Sequence, residues 1–202
     1  NGFRWSETSI SYAFPATAAD YGTAATGFNR LNGIQMEAAR IAFREVAGFT
    51  NLSFVETTAP GTLNLAEAAF IDADNDAMHT FETTVGTALG YAPSQTFVDN
   101  STAGDVWFNT NAYRNPLVGS FQFTAGIIHE IGHALGLKHP HQAGDANAIL
   151  FDTTLDPLSL DGLAYTVMSY RDFPGDALDG IPTPGNHPQS YMMLDIAALQ
   201  YL

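Results

Sequence analysis

Hydrophobic and polar positions change period several times along the chain, and each change predicts an element. Between Ser9 and Phe14 (SISYAF) apolar and polar residues alternate with the two-residue period of a strand, and Pro15 ends it. From Ile34 to Val46 the apolar residues Ile34, Ala38, Ile41, Ala42 and Phe43 fall at helical spacing. Arg40, Arg44 and Glu45 stand between them, and Gly48 is the expected stop. Alternation returns at Leu52–Thr57 (LSFVET), and Thr62–Ala66 and Gly104–Asn109 (GDVWFN) read as further strands. Leu89–Ala92, closed by Pro93, predicts a short edge strand. A second helix is predicted over Phe121–Leu135, where Ile128, Ile131 and Leu135 share one side and Gly136 supplies the stop. A last helix covers Gln189–Leu202, with Leu194, Ala197 and Ala198 spaced along it. Between 140 and 190 Pro, Gly and Asp predominate and the periodicity is lost. This order predicts one α+β domain over 1–202: a mixed sheet packed on two helices, followed by a small loop-rich part.

Composition narrows the field of functions. In 202 residues, 46% apolar and 12% aromatic types suffice for a sizeable core. No apolar run approaches the ~18 residues of a membrane span. Seven Lys and Arg against 21 Asp and Glu leave a net charge of -14, which repels phosphate backbones and anionic headgroups. Neither a nucleic-acid nor a membrane partner is expected. With no cysteine there is no disulfide, thiolate metal site or thiol nucleophile, so a tight transition-metal site must use His and carboxylate ligands. Asn1 opens the chain without Met or a leader, so a processed or excised piece is expected.

One stretch carries the chemistry: His129-Glu130-Ile131-Gly132-His133-Ala134-Leu135-Gly136-Leu137-Lys138-His139. Four residues apart on a helix, His129 and His133 project from one face, where both imidazoles can reach one zinc at ~2.0–2.1 Å. Glu130 is angled off that pair, toward a water on the metal. Gly136 permits the left-handed turn that swings a third ligand back, and His139 follows three residues later. Three neutral imidazoles leave a fourth position open, the arrangement of catalytic rather than structural zinc. Chance produces such a pattern on the order of once in 10⁵ chains of this composition.

The eleven-residue pattern is similar to the zinc signature of the metzincins, and Tyr165-Thr166-Val167-Met168-Ser169-Tyr170 resembles their Met-containing turn. Within that superfamily the chain looks like a serralysin, a bacterial secreted metalloprotease. His139-Pro140, Met168-Ser169-Tyr170, the strand Gly104–Asn109 and the closing Leu194-Asp195-Ile196-Ala197-Ala198-Leu199-Gln200 all point there. The resemblance implies a metzincin-type zincin: a twisted mixed five-stranded sheet, two long helices, and an active-site cleft floored by the zinc helix. The upper subdomain would span about 1–139. A small C-terminal subdomain, about 140–202, would hold the Met-turn and the final helix.

The implied function is a secreted, extracellular, monomeric zinc endopeptidase acting on peptide or protein substrates, with a protein inhibitor as a further candidate partner. By the same resemblance His129, His133 and His139 hold zinc, and Glu130 is the general base for a zinc-activated water. Tyr170 ligates the metal at rest and then assists the tetrahedral intermediate, while Met168 packs beneath the ligands without touching the metal. Gly90, Tyr91 and Ala92, on the edge strand, would bind an extended substrate antiparallel. The segment after Tyr170, up to Asn186, would wall the pocket.

Two departures stand out. Serralysins continue into calcium-binding repeats, and no G-G-x-G-x-D nonapeptide is present, so truncation or processing is expected. Segment 59–86 does not follow the family pattern. The remaining candidates are weaker. His141 is an alternative third ligand, and His79 and His187 read as solvated loop residues. Asp145, Asp152, Asp156 and Asp161 make calcium a second candidate cation, but their spacing fits no EF-hand, and a solvated acidic face is the preferred reading. The rival function is a catalytically weak zinc-binding module for adhesion or assembly in a larger secreted protein. An intact Glu130 and Tyr170 argue against it.

Overall fold

Ser9–Ala13 forms strand β1, with Ile10 and Tyr12 buried on one face. The computed structural model describes residues 5, 7–21, 27–58, 60–68, 105–109, 113–137, 139–140, 160–177, 185 and 187–201. After a 3₁₀ turn at Ala18–Tyr21 the chain enters helix α1 (Gly33–Phe49), followed by β2 (Ser53–Thr57), β3 (Leu63–Ala68) and β4 (Val106–Asn109). Among the described residues the sheet runs in the order β2-β1-β3-β4, and every neighbouring pair is parallel. Ile10 stands opposite Phe54, Tyr12 opposite Leu63, and Leu65 opposite Val106. Leu63 to Glu67 is buried throughout, as an interior parallel strand covered on both faces must be. The expected edge strand Leu89–Ala92 lies outside the described residues.

Helix α1 opens with a capping box. Asn32 Oδ1 accepts from the amides of Ile34 and Gln35, and Gln35 Oε1 accepts from the Asn32 amide. The other end of the Gln35 side chain is buried and donates to Glu67 Oε1 on β3 at 2.7 Å, tying helix to sheet. Phe43 packs its ring 4.4 Å from Tyr12 and 4.8 Å from Phe54. Burying such a ring stabilises by about 2–3 kcal/mol. Gly48 does not stop this helix, because its main chain stays helical and the end is set two residues later. There the Thr50 amide and hydroxyl both donate to the Val46 carbonyl, at 3.0 and 2.7 Å.

The predicted second helix is present in two parts: a π-helical stretch, Gln122–Ile128, runs directly into α2 (His129–Ala134). Side chains serve the main chain of the wider turns. The Thr124 hydroxyl engages the Ser120 and Pro188 carbonyls, and the Tyr191 hydroxyl donates to the Ile128 carbonyl at 2.9 Å. The final helix, α3 (Met193–Tyr201), begins four residues later than its pattern suggests. Tyr191 is held to α1 by its amide on Glu45 Oε1, and the Met192 amide is taken by the Asp195 carboxylate, which makes Met192 the entry to the helix. One apolar core joins the sheet, α1 and α2 with Val167, Met168, Tyr191 and Leu199.

Candidate metal centre

The histidines of α2 are aimed from both ends. His129 and His133 project from adjacent turns, and the helix closes at Gly136, whose φ of 108° only glycine adopts without strain. Its amide donates to the His133 carbonyl and the Leu137 amide to the Gly132 carbonyl, both at 2.9 Å, a Schellman turn that reverses the chain toward His139. The three Nε2 atoms then form a nearly equilateral triangle with sides of 3.1, 3.1 and 3.0 Å.

Second partners decide what those atoms can do. His129 Nδ1 donates to the Val167 carbonyl at 2.8 Å, and His133 Nδ1 donates to the Leu137 carbonyl at 2.9 Å. A carbonyl only accepts, so the proton sits on Nδ1 and the Nε2 lone pairs face each other. Such a set fits one divalent metal ion of the zinc type: nitrogen donors, close enough to share an ion at about 2.0–2.1 Å each, and oriented by backbone carbonyls. Glu130, next to His129 on α2, is buried.

Met168, 1% exposed, packs against one side of α2. Its Sδ stands 2.9 Å from where a Cβ on residue 132 would be, so Gly132 is what lets α2 rest on the thioether. Tyr170 covers another side, its ring centroid 4.5 Å from His139 and 5.8 Å from His129, and stacked on the latter at 27°.

Residues 4–157 match the family described as matrixin, peptidase M10. The chain belongs to that family. Serralysin B of Dickeya chrysanthemi is 27% identical over 198 residues, covering 96% of this chain and 38% of that protein. Serralysin of Photorhabdus laumondii subsp. laumondii is 31% identical over 182 residues, 86% of this chain and 34% of that one. Metalloprotease AprA of Pseudomonas entomophila is 29% identical over 202 residues, 96% and 39% respectively. The chain thus spans well under half the length of these curated relatives.

The structure therefore brings together His129, His133 and His139 with the Tyr170 ring against them, while Met168 packs on Gly132 of the same helix and Glu130 is buried on it. Gly90, Tyr91, Ala92, His79, His141, Asp145, Asp152 and Asp156 lie outside the described residues. Two expectations are corrected. Asp161 is on no solvated face: it is fully buried, with Oδ1 taking the Ser169 hydroxyl at 2.5 Å and Oδ2 the Arg171 Nε at 3.0 Å. His187 is partly buried, its ring 6.0 Å from that of Phe121, rather than solvated.

Sequence reasoning missed what supports the Met-turn of this matrixin. Asp195 accepts from the Thr166 hydroxyl at 2.5 Å, the Val167 amide at 2.8 Å and the Met192 amide at 2.9 Å. Burial pushes its carboxyl above the ordinary range, and those three donors pull it back in part. Because Val167 also supplies the carbonyl that orients His129, Asp195 acts on the metal centre through one residue. A signal was available: Asp195 is the one charge in Met192-Met193-Leu194-Asp195-Ile196-Ala197-Ala198-Leu199, and a carboxylate in such a run needs buried partners.

Proposed function

We propose that the chain is the catalytic part of a secreted zinc endopeptidase that hydrolyses internal bonds of peptide or protein substrates. One observation carries this reading: three imidazole Nε2 atoms, each within 3.1 Å of the other two, with a buried glutamate next to His129 in sequence, in a matrixin-family chain. His129, His133 and His139 would hold the metal, with Tyr170 as a further ligand. When bound, zinc supplies Lewis-acid chemistry, polarising the scissile carbonyl and lowering the pKa of water from ~15.7 toward 7.

The chain's own groups divide the remaining work. Glu130 takes a proton from the attacking water on its carboxylate and delivers it to the amide nitrogen of the leaving amine. The Tyr170 hydroxyl donates to the oxygen on which negative charge develops. The Val167 and Leu137 carbonyls keep two of the three imidazoles from rotating, so the centre needs little reorganisation during reaction. The extended substrate would lie along Gly90, Tyr91 and Ala92, the edge strand of a five-stranded sheet.

The test is cleavage of casein and a quenched peptide by wild type and Glu130→Ala at matched zinc content, with a chelator control. Wild type is expected to cleave and to stop on chelation. The variant should keep its zinc and lose turnover by about 10³-fold, within the range for removing a general base. A variant that cleaves as well as wild type overturns the mechanism.

A further inference from the structure

Tyr170 belongs to no helix or strand, yet its ring has a defined place against two imidazoles. Its two neighbours explain how the main chain is held there. On one side, the Ser169 hydroxyl donates to Asp161 Oδ1 at 2.5 Å; on the other, Arg171 Nε donates to Asp161 Oδ2 at 3.0 Å. The neighbours are also joined to each other, since the Arg171 amide donates to Ser169 Oγ at 3.0 Å. Leu163 closes the loop by donating its amide to the Arg171 carbonyl at 2.9 Å, and Arg171 Nη1 donates to the Asp176 carbonyl.

This clamp is buried: Asp161 is fully inaccessible, and the Arg171 side chain is 15% exposed. Gly162 makes the close packing possible. A Cβ there would stand 2.9 Å from Pro174 Cδ and 3.0 Å from the Phe173 main chain. A buried ion pair is weak as a source of stability, because desolvation offsets most of the attraction. A carboxylate gripping the residues before and after one tyrosine does define that tyrosine's direction.

We propose that Asp161 is a positioning residue for Tyr170, holding Ser169 and Arg171 so that the phenol stays over His129 and His139. The inference rests on the reading of Tyr170 as the donor to the developing oxyanion. It assigns the buried aspartate to the reaction geometry rather than to calcium binding.

Asp161→Asn preserves volume and the acceptor for Ser169 but turns an amide N–H toward Arg171. Two measurements on the zinc-loaded chain test it: kcat and KM in the wild-type and Tyr170→Phe backgrounds, and side-chain NMR with ¹³C-labelled tyrosine. The Tyr170 resonance is identified by its loss in Tyr170→Phe. Expected are a fall in kcat of about tenfold with KM within about twofold, and no further fall when Tyr170→Phe is already present. The Tyr170 resonance should move while tyrosines outside residues 160–177 keep theirs. Equal losses in both backgrounds, or an unmoved Tyr170 resonance, overturn the proposal. If Tyr170→Phe alone leaves kcat unchanged, the oxyanion reading falls, and the resonance alone decides whether Asp161 sets the ring's place. Arg171→Lys keeps the charge but gives up the guanidinium fork, so it tests the same clamp should Asp161→Asn fail to fold.

Discussion

At the scale of single residues, the proposed function gives Tyr170 and Glu130 different steps, the one donating to the developing oxyanion and the other acting as general base. Removing the Tyr170 hydroxyl leaves the three imidazoles and the general base in place, so Tyr170→Phe should lower kcat by ~10²-fold, the size of one lost oxyanion donor. Peptide kinetics at matched zinc content check this, and a variant within about twofold of wild type removes Tyr170 from the mechanism. The clustering of the three histidines was legible because its geometry is local: His129 and His133 are set by helical spacing and His139 by a turn that only Gly136 makes easily. Asp161 was not legible. It lies where periodicity is lost, and its meaning comes from partners eight and ten positions away that no repeat announces.

Between elements, the metal centre depends on how α2 and α3 are tied through the Met-turn. Asp195 sits in the first turn of α3, and its three donors include the Val167 amide, while the carbonyl of Val167 orients His129. Asp195→Ala strands a buried hydroxyl and two amides, and should cost about 2–4 kcal/mol in denaturant unfolding. Asp195→Asn, which retains one acceptor, should cost less. Equal stability of wild type and Asp195→Ala would mean that the turn holds itself. Most strands and helices here were readable from their period, but their ends were not. Gly48 passes inside α1 because the Thr50 cap outweighs a small propensity penalty, and α3 starts late because Tyr191 is anchored to Glu45. Tertiary partners set those boundaries.

Across the molecule, the sheet hides a titration. Asp105, 1% exposed at the entry to β4, accepts from Asn64 Nδ2 at 2.9 Å, and burial pushes its carboxyl up to about 7. An unfolded aspartate releases its proton near 3.9. Between those values the native state holds a proton that the unfolded state lacks, so stability falls as pH rises and levels off above about 7. Urea unfolding should show wild type losing about 3 kcal/mol relative to Asp105→Asn between about pH 5 and pH 8. Parallel stability in both proteins would exclude Asp105 as the source.

The parallel order β2-β1-β3-β4 also has a consequence in time. Strand β1 is flanked by partners 44 and 51 positions further on, so its pairing waits for chain that does not yet exist. Assembly of such distant contacts is slow compared with local helix formation. His129 finds its orienting carbonyl 38 positions later, and the carboxylate that holds that carbonyl's residue comes 28 positions after it. A chain emerging from the ribosome thus completes the sheet before the metal centre, which stays unfinished until Asp195 has been made.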